Sequence, residues 1–199
     1  HMIFMDQLLL NIHHSGKKTL DNFVVGNNQE CLDALKNFIK SNSQQFIYLW
    51  GEKGSGKTHL AEALTNFGIM VVEDVDTFDE DRQIQTFNLF NEYKAAHMKM
   101  LLTGANGPTH MGLRDDLASR LSWGLVYQIK SLTDIEKMLA LEHHAKEKGM
   151  ALDMKVIHYC MRHLKRDLPY LIATLDALDE WSLKTKKPVT ISLLKDLLT

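Results

Sequence analysis

The chain has little that would brace it covalently or tether it to other structures. Only two cysteines, Cys31 and Cys160, occur in 199 residues, far apart in the chain. No disulfide framework or CxxC metal site can be built from them, so a reducing, cytoplasmic setting is the expectation. Three prolines exclude a collagen-like chain or a Pro-rich linker. No apolar run approaches the ~18 residues of a membrane-spanning helix. Ile3-Phe4-Met5 and Leu8-Leu9-Leu10 are split by Asp6-Gln7. With no basic region before them and no small-residue cleavage site after, they do not read as a signal peptide. His1-Met2 reads as a cloning remnant carrying the initiator Met. Neither charge sign dominates: 23 Lys and Arg against 25 Asp and Glu leave a formal net charge of -2. A polybasic tail or a strongly basic nucleic-acid platform is therefore excluded, while a local basic patch is not. Ten histidines are present but no HExxH. The neighbours His13-His14 and His143-His144 cannot share a helical face, so the spacing argues against a metal enzyme.

What is present is an ordinary globular composition, 45% hydrophobic and 24% charged, in a length that suits one domain or one domain with a small appendage. Residues 1–18 are polar and His-rich after the leucines and read as a flexible arm. Leu32, Leu35, Phe38 and Ile39 fall on one face of a helix from Asn28 to Lys40. Phe46 to Trp50 is a continuous apolar run, suited to a strand buried on both faces. A helical pattern opens at Lys57 and ends near Gly68, a C-terminal cap. Ile69 to Val72 predicts a second strand, Met98 to Thr103 a third and Leu125 to Ile129 a fourth. Helices lie between them, one carrying Ile84, Phe87, Phe90 and Tyr93, another Asp116 to Leu121. After Ser131 only helices follow. Thr133 to Glu136 forms a capping box, Asp153 caps a second helix, Pro169 fits the first turn of a third, and Thr190 starts a last amphipathic piece. The alternation predicts a parallel α/β core over 19–131 and a helical domain over 132–199.

Gly51-Glu-Lys-Gly-Ser-Gly56-Lys57-Thr58 matches GxxxxGK[ST] without a mismatch. It follows a predicted strand and opens a predicted helix, the context that separates this motif from a chance glycine-rich turn. Gly51, Gly54, Ser55 and Gly56 would fold the backbone into a nest whose N–H groups surround phosphate oxygens, at a helix N-terminus whose dipole favours anions. Lys57 would reach the β- and γ-phosphates and Thr58 would hold Mg²⁺. A second apolar strand ends in Glu73 and Asp74, where an acid can support that Mg²⁺. Asp76, Asp79, Glu80 and Asp81 follow, and read as solvated acids at a helix start.

Leu20-Asp-Asn-Phe-Val-Val-Gly26, the phosphate loop continuing through Lys57-Thr-His-Leu60, and Leu117-Ala-Ser-Arg-Leu-Ser-Trp-Gly124 together resemble the AAA+ core of the replication initiator DnaA, from residue 19 onward. DnaA continues into a helix-turn-helix domain that binds duplex DNA. A core ending after its helical lid resembles the Hda group, regulatory inactivators of DnaA. Tyr48-Leu-Trp-Gly51, Asp116 to Gly124 and Pro188-Val-Thr-Ile191 are similar to that group. The resemblance implies a P-loop AAA+ parallel sheet with helices on both faces and an all-helical lid. It implies ADP or ATP with Mg²⁺ as ligands. It places Asn22, Phe23, Val24 and Val25 against the adenine and His59 with the nucleotide-binding residues. Arg120 matches the arginine finger, which would act on ATP bound to a neighbouring DnaA; the plainer alternative is a surface arginine paired with Asp115 or Asp116. Gln7-Leu8-Leu9-Leu10-Asn11-Ile12 is similar to the motif by which Hda binds the DNA polymerase sliding clamp. An extended peptide would seat Leu8, Leu10 and Ile12 in an apolar pocket while Gln7 hydrogen-bonds.

The sequence departs from that pattern in places. Only ten residues separate Thr58 from Ile69, too few for the usual strand and helices, so the sheet is expected to lack an edge strand and single-stranded DNA handling is not carried over. Glu73 stands where an Asp is usual, Ala105 where a polar sensor is, and Pro169 where the lid supplies an Arg, with Arg166 three positions off. These departures fit nucleotide binding and weaken the case for hydrolysis by the chain itself. The leading expectation is an adaptor that binds nucleotide and the sliding clamp and promotes hydrolysis of DnaA-bound ATP. DNA contact would be only indirect, and self-association is compatible. The alternatives are an autonomous P-loop ATPase of the helicase-loader kind and a degenerate AAA+ interaction module.

Overall fold

A computed structural model describes residues 2–13, 17–110 and 112–199. Along the chain, α1 spans Met2–His13, α2 Gln29–Lys40, β1 Phe46–Trp50, α3 Lys57–Thr65, β2 Met70–Val72, α4 Glu80–Ala95, β3 Met100–Gly104, α5 Asp115–Leu121 and β4 Leu125–Gln128. The helices α6 Asp134–Glu147, α7 Met154–His163, α8 Leu168–Thr185 and α9 Ile191–Leu198 follow. Two units result, one of residues 18–131 and one of 1–17 with 132–199.

The first unit is built on a four-stranded, wholly parallel sheet in the order β2-β3-β1-β4. β1 lies inside it, with Phe46 opposite Met100 and Trp50 opposite Gly104 on one side and Ile47 opposite Leu125 on the other. Because successive side chains point to opposite faces, its apolar run feeds two cores. Ile47 and Leu49 join Leu32, Leu35, Phe38, Leu60, Leu64 and Leu101 beneath α2 and α3. Phe46 and Tyr48 join Phe90, Met100, Leu102, Leu117 and Leu121 beneath α4 and α5. Full burial of such side chains contributes roughly 1.5–3 kcal/mol each. Gly68, at φ 75°, turns α3 directly into β2 and its N–H donates to Thr65 O at 3.0 Å. The short return leaves β2 at the margin of the sheet, so the expected missing edge strand is found.

The second unit is the helical lid together with α1. Thr133 makes both halves of a capping box with Glu136, and Asp153, Asp167 and Thr190 accept hydrogen bonds from the first turns of α7, α8 and α9. Pro169 lies in the first turn of α8. Residues 2–13 are not an extended flexible arm but a helix packed on the lid, while 1 and 14–16 of that predicted arm lie outside the described residues. Leu8 and Ile12, one turn apart, are fully buried among Leu171, Leu175, Leu178, Leu194 and Leu197. Phe4 stacks on Trp181 at 6.1 Å between centroids. An i, i+4 apolar pair on a helix gains more from a waiting apolar surface than an extended chain does from water.

Candidate functional site

The phosphate loop leaves the C-terminal end of β1 and closes into α3, as the motif requires. Gly54 and Gly56 take φ of 83° and 109°, a region closed to most side chains. A β-carbon at Gly56 would also come within 2.9 Å of Phe23 Cε2. Phe23 therefore forms the floor under the loop. Its ring meets His59 edge-on at 5.4 Å, and His59 Nε2 contacts Thr19 O at 2.7 Å. Asn22 and Thr19 exchange side chain to backbone hydrogen bonds, which fixes the turn that carries Phe23. Val24 and Val25 are half-buried beside it.

The Lys57 ammonium is buried and donates to two backbone carbonyls, Gly51 O and Gly104 O, the latter at 3.1 Å. Carbonyls are weak stand-ins for phosphate oxygens, so an anion in the loop would compete for those donors. Ser55 Oγ is buried with no hydrogen-bond partner among the described residues. A buried hydroxyl left unpaired at the mouth of a backbone nest fits a ligand bearing acceptors. The residues present therefore suit a phosphate group.

At the neighbouring strand end, Glu73 lies close enough to Thr58 for the hydroxyl to hold its carboxyl down. Partial burial, then the adjacent Asp74, push the Glu73 carboxyl above the usual carboxylate range, with Glu62 adding to the rise and Thr58 and Lys18 opposing it. Asp74 sits in the left-handed region at φ 58°, pinned by its N–H donating to the buried Thr103 hydroxyl at 3.1 Å. Among the described residues no cluster of three or more His, Cys, Asp or Glu could cage a metal by itself. Mg²⁺ at such a site would be shared between Thr58, the nearby acids and the phosphates, the usual manner for this ion.

Two side chains carry more than the sequence reading gave them. Asp76, read as a solvated acid, is half-buried and accepts a hydrogen bond from Ala105 N at 3.1 Å. It braces the position where a polar sensor was expected and alanine stands. Asn28 clamps the start of α2 to the end of β4, donating to Lys130 O and accepting from Lys130 N, each at 2.8 Å. Only its type, a small polar residue at a helix start, was visible in the sequence. In the lid, Arg166 is held by Met161 O at 3.1 Å and Asp134 at 3.2 Å.

Arg120 occupies the last turn of α5 at the other end of the sheet. Its guanidinium lies 3.8 Å over the Trp123 ring, and its Nε donates to Asn91 Oδ1 at 3.4 Å. Of the two expected alternative partners, Asp116 is taken by Arg114, which also binds Glu80, and Asp115 forms no salt bridge among the described residues. Among the described residues no carboxylate forms a salt bridge with Arg120. Gly124, next after Trp123, abuts Phe46 at the N-terminal end of β1, whereas the phosphate loop leaves the strand at Trp50. Four strand steps, ~13 Å at ~3.3 Å each, separate the two ends. Arg120 thus lies at the end of the sheet away from this chain's own phosphate loop. Of the proposed clamp-contacting residues, Gln7 and Leu10 are exposed and Leu8 and Ile12 are buried. Gln7 donates to Asn11 at 3.0 Å.

The model of the Hda lid domain family matches residues 134–198. An uncharacterized protein of Haemophilus influenzae is 33% identical over 226 residues, covering 96% of this chain and 98% of the relative. That span exceeds the 199 residues of this chain, so the relative carries residues that this chain lacks. Among solved structures, domain III of the Thermotoga maritima replication initiation protein DnaA has a TM-score of 0.69 at 19% identity, covering 92% of this chain and 95% of that one. AMPPCP-bound DnaA from Aquifex aeolicus reaches 0.63 at 21% identity, covering 85% and 69%. These two likenesses establish the fold.

Proposed function

The chain belongs to the Hda-like, DnaA-related AAA+ proteins, and from that premise we propose that it is a nucleotide-binding adaptor that promotes hydrolysis of ATP held by DnaA. The placement of Arg120 carries the reading. It is an arginine without a carboxylate partner among the described residues, at the end of the sheet opposite its own phosphate loop. An arginine so placed serves a neighbour's γ-phosphate, where it offsets the charge that develops as water attacks phosphorus and the β–γ bridge breaks. The chain's own loop, with Gly51, Gly54, Ser55, Gly56, Lys57 and Thr58, holds ADP or ATP, and Glu73 and Asp74 support Mg²⁺. Two solved structures of similar fold are of DnaA bound to AMPPCP, which supports nucleotide as the ligand.

The sliding clamp is the second partner in this reading, through Gln7, Leu8, Leu10 and Ile12. Because Leu8 and Ile12 are buried in the lid, docking as an extended peptide requires α1 to leave it. The cytoplasm, where replication takes place, is the proposed compartment; among the described residues no helix is long and apolar enough to cross a membrane.

Phosphate release separates this reading from an autonomous ATPase. The isolated chain with ATP and Mg²⁺ is expected to give negligible turnover, and DnaA-ATP with loaded clamp is expected to hydrolyse faster when the chain is added. Brisk turnover by the chain alone, with no effect on DnaA, would refute the adaptor.

A further inference from the structure

Around Arg120 the structure holds an arrangement with a function of its own. Trp123 is half exposed, yet carries two cations: the Arg120 guanidinium at 3.8 Å and the Lys94 ammonium at 4.0 Å from the ring centroid. Phe90 meets its edge at 6.2 Å and itself stacks on Phe46 at 3.8 Å, which ties the indole to the central strand. Phe87 lies 5.1 Å from the guanidinium. Asn91, one turn further along α4, takes the Nε proton. Nε is the only guanidinium nitrogen of Arg120 with a hydrogen-bond partner among the described residues, so both Nη groups are left for a ligand.

We infer that Trp123 and Asn91 are positioning residues that hold Arg120 ready for a phosphate on a partner protein. A free arginine side chain loses several rotors when it meets a phosphate, and a ring beneath its plane removes much of that loss beforehand. Stacking leaves the in-plane N–H fork open, and the Asn91 carbonyl sets its rotation about the plane normal. Trp is the strongest cation–π partner, and three residues along a chain ending a helical turn bring it under the Arg120 side chain. Lys94 on the same ring adds positive charge to the face that a nucleotide-bearing partner would meet. Misplacing a catalytic group by ~1 Å can cost on the order of 10²-fold in rate, so such a support has kinetic weight.

The inference rests on the adaptor reading, and its test keeps the two apart. Trp123→Leu, Trp123→Phe, Asn91→Ala and Arg120→Ala are each titrated against DnaA-ATP with loaded clamp. Thermal unfolding and ADP binding check the fold. Trp123→Leu is expected to lower the maximal stimulated rate by about 10- to 100-fold at an unchanged half-saturating concentration, and Trp123→Phe to recover most of it. Asn91→Ala, which removes no core side chain, serves should Trp123→Leu fail to fold, with a smaller loss in the same direction. A second readout needs no DnaA: the ring-current shift of the Arg120 side-chain protons is expected in wild type and lost in Trp123→Leu. Full activity in Trp123→Leu, or a change in half-saturation alone, overturns the positioning role while Arg120→Ala still abolishes stimulation. Full activity in Arg120→Ala instead overturns the adaptor reading itself.

Discussion

The phosphate loop was legible residue by residue because its chemistry is local. Eight consecutive residues fix the glycine dihedrals, the Lys57 donor and the Thr58 hydroxyl with no help from distant sequence. Its supports were not. Phe23 sits under Gly56 from 33 positions upstream, Asp76 reaches Ala105 from 29 positions away and Asn28 reaches Lys130 across 102. Calorimetry with ADP is expected to show binding in wild type and its loss in Lys57→Ala with the fold intact; unchanged affinity would contradict the site. Glu73 supplies a pH prediction. A carboxyl raised by burial and by Asp74 holds its proton more tightly in the folded chain than in the unfolded one. Its ionised form therefore costs stability above its native pKa, and the cost vanishes below the ordinary value of ~4.3. Glu73→Gln, which imitates the neutral form, is expected to raise the unfolding temperature of the nucleotide-free chain at pH 7, with the gain fading toward pH 4. An equal gain at both pH values would remove the electrostatic explanation. The same variant should show a smaller stabilisation by Mg²⁺ with ADP.

Among the elements, α1 shows where pattern reading fell short. Phe4, Leu8 and Ile12 recur at helical spacing, but the surface that selects the helix, Trp181 with Leu171, Leu175 and Leu178, lies in α8 at the other end of the chain. Nothing within residues 1–18 says that such a surface exists. The strands and remaining helices were easier, since each carries its own apolar period and most carry their own caps. Truncating a fully buried leucine costs about 2–5 kcal/mol, so Leu8→Ala should loosen the lid by a sizeable share of its stability. The two cysteines report on this separately. Burial pushes the Cys160 thiol up to about 11 and, with Glu30 adding, Cys31 up to about 12. Both are thus unreactive while their units stay folded. Leu8→Ala is expected to speed labelling of Cys160, in the core that holds Leu8, and to leave Cys31 slow. Equal acceleration of both would mean that α1 does not belong to the lid core alone. A peptide of residues 5–13 is further expected to bind the sliding clamp more tightly than the intact chain does, because the intact chain must first free α1. Tighter binding by the intact chain would place the clamp contact elsewhere.

For the molecule as a whole, the sequence carried the two-part plan through the change from alternating strands and helices to helices alone near Ser131. The shortened link between α3 and β2 was countable in residues, and it left the four-stranded sheet. The direction in which Arg120 faces was not countable. It depends on β4 running parallel to β1, so that the end of α5 and the phosphate loop fall at opposite ends of the strands. That separation is the centre of the proposed function, in which one end of the sheet would hold this chain's nucleotide and the other would be offered to a partner's. The most direct measurement is phosphate release from labelled ATP on DnaA, with loaded clamp and this chain held in its ADP form, wild type against Arg120→Ala. Trans-acting arginines contribute on the order of 10³–10⁵ in rate. The account predicts that Arg120→Ala binds ADP as wild type does and returns DnaA to its unstimulated hydrolysis. Stimulation by Arg120→Ala equal to wild type would contradict it.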